Sequence, residues 1–183
     1  MAFEVKFELK DSDLDHFRAV MEKAAAGASG LSESEILTKA KELSANLQND
    51  VPEFVVERLR KLEVLVAMVE DSQWQLEGDE RSNVLNALAY FSDPEDLVPD
   101  HIPALGFLDD AIMIELVVED LQDDVEAFEE FCAYREREQA RSGDKEITTD
   151  DWLDAKRREL HSRMRNRRSA RRGGGSGFRS IFR

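Results

Sequence analysis

A chain of 183 residues with 25 lysines and arginines against 40 aspartates and glutamates has a formal charge of −15, which favours solubility and opposes general attraction to nucleic acid or anionic lipid. The length suits one main domain with a sizeable core and is too short for two large ones. Its single cysteine, Cys132, excludes an intramolecular disulfide and any cysteine-based zinc cluster.

The first residues, MAFEVKFELKDSD, lack the basic start and apolar run of a signal peptide, so the plain reading is a cytoplasmic protein of a bacterium-like cell. Within them Phe3, Val5, Phe7 and Leu9 alternate with polar residues, the period of a half-buried strand that has no obvious partner. Asp11 or Ser12 is placed to cap a helix with Leu14, Phe17, Val20 and Met21 on one side, fading at AAAGASG. Ser32 and Glu35 form a capping box ahead of a helix carrying Ile36, Ala40, Leu43 and Leu47. Pro52 then opens the most apolar helix, EFVVERLRKLEVLVAMVEDSQW, with Val55, Val56, Leu59, Leu62, Val66 and Val69 at helical spacing, the expected centre of the core.

The tripeptide GDE, Gly78 to Glu80, is read as a separator before the helix SNVLNALAYF. Beyond it, DPEDLVPDHIPALGFLDDA holds three prolines, a glycine and six acids. Ser92 with Glu95 makes a capping box, and Pro94 lies in a first turn where its missing N–H costs nothing. Pro99 and Pro103 keep that helix short, letting Val98, Ile102, Leu105 and Phe107 reach the core from a stiffened loop. A long helix over residues 110–141 follows, with Asp109 or Asp110 as cap and Ile112, Leu116, Val117, Leu121, Val125, Phe128 and Phe131 as its inner stripe. Ser142 and Gly143 end it. Thr148 or Thr149 caps a last helix, and GGGSGFRSIFR begins as a flexible linker. No stretch approaches the roughly 20 apolar residues of a membrane-spanning helix.

AYFSDPEDLVPDHIPALGFLDDA resembles the signature of the YkvA-like family, a small bacterial helical domain of unknown function. That pattern runs as an aromatic residue, Ser-Pro-x-Asp-Leu-Ile-Pro-Asp, x-Ile-Pro, a small gap, Gly, then x-x-Asp-Asp. Tyr90, Asp96, Pro99, Asp100, Ile102, Pro103, Gly106, Asp109 and Asp110 match it, within residues 84–121. Asp93 stands where the family usually has serine or a similar residue, and Val98 stands for isoleucine. The resemblance implies a helical domain without an established reaction. Some family members are membrane-associated through apolar helices; this chain has no such helix, so that property is not carried over.

Two readings of these acids compete. As helix-start residues they satisfy free backbone amides and face the helix dipole. As ligands, Asp96, Asp100, His101, Asp109 and Asp110 offer carboxylates and one imidazole to a divalent ion such as Mg²⁺, Mn²⁺ or Ca²⁺. Their spacing matches no EF-hand or HExxH motif, and no phosphate-binding loop or nucleophile elbow occurs elsewhere. The helix-start reading is favoured, no cofactor is expected, and an enzyme using Asp96, Asp100, Asp109 and Asp110 stands as the alternative. His16 and His161 read as surface residues. Cys132, beside Phe128 and Phe131, reads as a buried inert thiol.

The C-terminal end reverses the charge. Residues 157–183 hold ten arginines against one acid, Glu159, a charge of +9 that leaves −24 for the rest of the −15 chain. Leu153, Leu160 and Met164 mark an apolar stripe, while Lys156, Arg157, Arg158, Arg163, Arg165, Arg167, Arg168, Arg171 and Arg172 spread over most of the remaining surface. Such a helix is poor at burying itself and suited to phosphates or carboxylates. Three partners fit: RNA, ribosome or DNA; an acidic protein surface, including the chain's own body; or anionic lipid, which would make the chain a peripheral membrane adaptor. Phe178 and Phe182 read as anchors of a tethered docking peptide.

The expected architecture is all-α, a single helical domain of five or six helices with a short N-terminal strand and a basic C-terminal arm. Its parts are a strand over residues 1–10, a helical body over 11–141, a linker and basic helix over 142–172, and a Gly-rich tail with an aromatic tip over 173–183. The expected function is a non-catalytic adaptor acting through Arg157, Arg158, Arg163, Arg165, Arg167, Arg168, Arg171, Arg172, Phe178 and Phe182.

Overall fold

The computed structural model of the chain describes residue 8 and residues 10–27, 30–46, 53–91, 108–142 and 150–173. These form seven α-helices: α1 (Asp11–Gly27), α2 (Glu33–Asn46), α3 (Glu53–Glu70), α4 (Gly78–Tyr90), α5 (Leu108–Asp120), α6 (Gln122–Ser142) and α7 (Asp150–Gly173). The fold is all-helical, and no strand occurs among the described residues. The strand expected over residues 3–9 falls almost wholly outside them.

Helix α3 is the centre, packed by α2, α4, α5 and α6, while α1 lies on α4 and α7 on α6. Its Val55, Leu59, Leu62, Leu65, Val66, Met68 and Val69 are all buried, the single wide stripe its sequence period requires. The facing side of the core comes from Val84, Ala87 and Leu88 of α4, Met113, Ile114 and Val117 of α5, and Phe131 of α6. Polar ties at the rim fix how the helices sit. Glu115 of α5 accepts from Lys61 at 2.9 Å and pairs with Arg58 at 3.2 Å. Lys41 of α2 meets Glu70 of α3 at 2.6 Å.

The capping box ahead of α2 forms as its residues dictate. The Glu35 amide donates to Ser32 Oγ at 3.3 Å, and the Ser32 amide donates to Glu35 Oε2 at 2.7 Å. Accepting from the Ser32 hydroxyl and amide lowers the Glu35 carboxyl below its usual range.

Three helix boundaries differ from the sequence expectation. Helix α3 stops at Glu70 and does not run on to Trp74. Asp71 stops it, its Oδ1 accepting from the amides of Gln73 and Trp74 at 2.9 Å each, so that the side chain replaces the next helical carbonyls. Gly78, at φ +61, does not separate helices but is the first residue of α4, where that angle turns the chain into the helix. The third difference adds a helix to the expected five or six. The helix expected over residues 110–141 is two, broken at Leu121. The break places Asp123 and Asp124 in the first turn of α6, where unpaired amides favour carboxylates. Leu121 itself stays fully buried and keeps accepting, from Asp124 and Val125 at 2.9 Å, so the inner stripe continues through the break. No Gly or Pro marks it, and that is why periodicity alone misses it.

Candidate functional site

The basic helix does not stand away from the body. Leu153, Leu160 and Met164 are all buried and belong to the main core, which corrects the expectation that α7 buries itself poorly. Each is worth about 1.5–3 kcal/mol in apolar burial, more than any exposed ion pair beside it. Around that stripe the rings of Tyr134 and Trp152 meet edge to face at 5.3 Å, with the Lys156 ammonium 5.7 Å from the Tyr134 centroid.

Charge sets the register. Arg163 and Lys156 both bond Glu130, the lysine at 3.0 Å. Further along, Arg167 meets Glu126 at 3.1 Å, Arg168 meets Asp124 at 2.5 Å, and Arg171 meets Asp123 at 3.3 Å. As numbers rise along α7 they fall along α6, so the two helices form an antiparallel hairpin with a guanidinium–carboxylate ladder down one edge. The Arg163 and Lys156 bonds hold the Glu130 carboxyl below its usual range.

The two carboxylates nearest the start of α6 are sealed. Asp123 is nearly buried and Asp124 wholly so. Loss of water pushes the Asp124 carboxyl up to about 6, against the pull of Arg168 and with a further push from Glu80 and Asp123. One of its oxygens, Oδ1, has no hydrogen-bond partner. Arg168 therefore offsets only part of what burial costs this group.

His161 is a second correction. It is half-buried rather than freely exposed: its ring stands edge-on to Trp74 with centroids 4.2 Å apart, and Nε2 is buried without a partner. Burial, then the nearby Arg165 and Arg157, lower its pKa and favour the neutral ring. Trp74 is fully buried and also contacts Phe128 and Phe131, at 5.7 and 5.2 Å. The turn that holds it is tied by three arginines. Arg135 reaches Asp71 at 2.7 Å and Gln73 Oε1 at 2.9 Å. Arg157 donates to the Gln73 carbonyl at 3.1 Å, and Arg81 donates to the carbonyls of Val69 and Leu76.

Of the sequence-derived arginines, the structure brings Arg163, Arg167, Arg168 and Arg171 onto α6, and Arg157 onto the α3–α4 turn. Arg158 is exposed, and Arg165, also exposed, lies 3.9 Å from Glu80. Arg172 is in α7, with its side chain outside the described set. Phe178 and Phe182 lie outside the described residues, as do Asp96, Pro99, Asp100, His101, Pro103 and Gly106. Asp109 and Asp110 fall inside the first turn of α5, which begins at Leu108; the Asp110 side chain is half-buried, and that of Asp109 is outside the described set. Among the described residues no group of three or more His, Cys, Asp or Glu is arranged to hold a metal ion. Cys132 is half-buried, and burial raises its thiol pKa, away from a reactive thiolate.

The α4 helix and the start of α5 also carry the family signal. Residues 84–116 match the family model of a protein of unknown function, DUF1232. The match agrees with the YkvA-like resemblance and ends before α6 begins. No curated protein matches the chain, and no solved structure does. None of the described helices is long and apolar enough to cross a membrane.

Sequence reasoning missed the acidic half of the hairpin. The chain's own acidic body is among the expected partners of the arginines, but nothing in the sequence reading singles out Asp123, Asp124, Glu126 and Glu130 within it. The signal was present as two complementary rows, DDVEAFEE and RMRNRRSAR, read in opposite directions across a short connection.

Proposed function

We propose that this chain is a non-catalytic adaptor whose Arg-rich C-terminal arm, residues 157–183, engages an acidic surface of another protein. One observation carries the reading: the arginines of α7 are spaced so that they meet a row of carboxylates on a helix, Glu130, Glu126, Asp124 and Asp123, in unbroken order. Guanidinium groups bind phosphate and carboxylate with similar geometry, so the charge of the rest of the molecule decides between them. A body of charge −24 repels a nucleic-acid backbone, whereas a protein partner brings carboxylates at limited local density. Arg158 and Arg165, both exposed on α7, extend the basic surface beyond the hairpin seam.

The test compares the full chain with its Arg158→Ala, Arg165→Ala double variant as bait in lysate, with and without nuclease. The expected result is a protein retained regardless of nuclease, released by salt, and lost with the double variant. Retention abolished by nuclease would transfer the arm to nucleic acid and end this reading.

A further inference from the structure

The residues best suited to recognise a carboxylate row are already holding one. Arg163, Arg167, Arg168 and Arg171 sit at i, i+4, i+5 and i+8 along α7, and their partners Asp123, Asp124, Glu126 and Glu130 sit at i, i+1, i+3 and i+7 along α6. Apart from the adjacent pairs Arg167/Arg168 and Asp123/Asp124, each row keeps the i, i+3 or i+4 spacing of one helix face. A partner cannot use these guanidinium groups while α6 occupies them.

The attachment is uneven along its length. Among the described helices α7 packs principally on α6, whereas α3 is packed by four neighbours. Beyond Met164 no side chain of α7 is among the buried apolar residues, so from Arg165 to Arg171 the helix is held by charge. The side chains of Arg167 and Arg171 are 49% and 50% exposed even when paired, the regime in which ion pairs exchange readily, whereas Arg168, on the buried Asp124, is 17% exposed and is the pair that holds this segment most firmly. Segments with few buried apolar contacts open first.

Resting on the reading of the arm as a binder of acidic protein surfaces, we infer that α6 is a built-in competitor: the partner is a helix bearing carboxylates at the spacing of Asp123, Glu126 and Glu130, and it displaces the C-terminal half of α7 from α6. Helix α7 is thus self-inhibited in the resting chain. A partner helix gains affinity by matching the register, and random acidity is a poor substitute. Leu153 and Leu160 stay packed and keep the arm tethered to the body.

The probe is a fluorescent synthetic peptide with the sequence of residues 119–142, added to the full chain at low salt. A scrambled peptide of the same composition is the control. The full chain is compared with its Glu126→Gln, Glu130→Gln variant, whose substitutions lie at partly exposed positions and preserve side-chain volume. The expected result is about tenfold tighter peptide binding by the variant than by the wild type, the effect of two weakened ion pairs. The scrambled peptide should bind less well, and salt should erase the difference. Equal affinity of variant and wild type for the peptide overturns the inference; if the Arg158→Ala, Arg165→Ala variant then loses that binding, the adaptor reading stands with an always-exposed face. Binding of neither peptide by either form, together with nuclease-sensitive capture, overturns both.

Discussion

The two ends of the α6–α7 hairpin are built on different physics. Toward the start of α7, Leu153, Leu160 and Met164 are buried in the main core and His161 stands on Trp74. Toward its end, Arg167, Arg168 and Arg171 meet Glu126, Asp124 and Asp123 with no buried apolar partner between them. Apolar packing is insensitive to salt, whereas ion pairs respond to both salt and pH. The same helix is thus held mainly by packing at one end and by ion pairs at the other.

The largest effect should come from breaking the packed end. Leu160→Ala removes a fully buried side chain and should cost about 3 kcal/mol in urea unfolding, with little dependence on salt. A loss under about 1 kcal/mol would mean that α7 is not part of the cooperative unit. Next comes Arg168→Met, which leaves the buried Asp124 carboxylate without its counter-charge. It should cost about 2–4 kcal/mol near neutral pH and recover most of that by about pH 5, where the carboxyl takes up a proton. Thermal melts across that range give the answer, and a pH-independent loss would contradict the pairing.

Asp124→Asn sharpens the contrast through its slope. The folded carboxyl at about 6 lies above its ordinary 3.8, so the folded chain holds a proton that the unfolded chain releases. The group's stabilising share is therefore complete below about pH 4 and is lost as pH rises through about 6, amounting to about 3 kcal/mol by neutrality. The variant should lack that decline, as seen in denaturant midpoints collected across this window. His161 acts in the opposite sense. Its lowered pKa makes stability complete above about pH 6.5 and diminishing as acid forces a proton onto the ring. His161→Gln should remove the acid-side loss, and a steeper loss in the variant would refute the neutral-ring assignment. The smallest change is expected from Glu130→Gln, under about 1 kcal/mol at low salt and undetectable at high salt.

How much of this was legible in the residues depends on whether the cause was local. The Ser32/Glu35 cap and the α3 stripe are written in neighbouring positions, and both form as read. The end of α3 at Asp71 was hidden because its apolar pattern runs on into Trp74. The Leu121 break was hidden for a related reason: the inner stripe keeps its spacing across it. His161 was misjudged from its arginine neighbours, since the residue that shelters it, Trp74, is 87 positions away. Likewise the arginines of α7 look unpartnered until the helix carrying their carboxylates is laid antiparallel beside them. Of the acidic signature around Asp96 and Asp100, the described residues include only its flanks, α4 and the start of α5.

The break at Leu121 also falls close to the end of the family match. The DUF1232 match ends at residue 116, and everything that forms the charged hairpin begins at Gln122. A helix boundary at that point leaves the hairpin separate from the matched residues, which begin within α4 and end within α5. Leu121 is therefore a natural graft point, where a hairpin with a different carboxylate row and arginine complement would leave the matched residues unchanged.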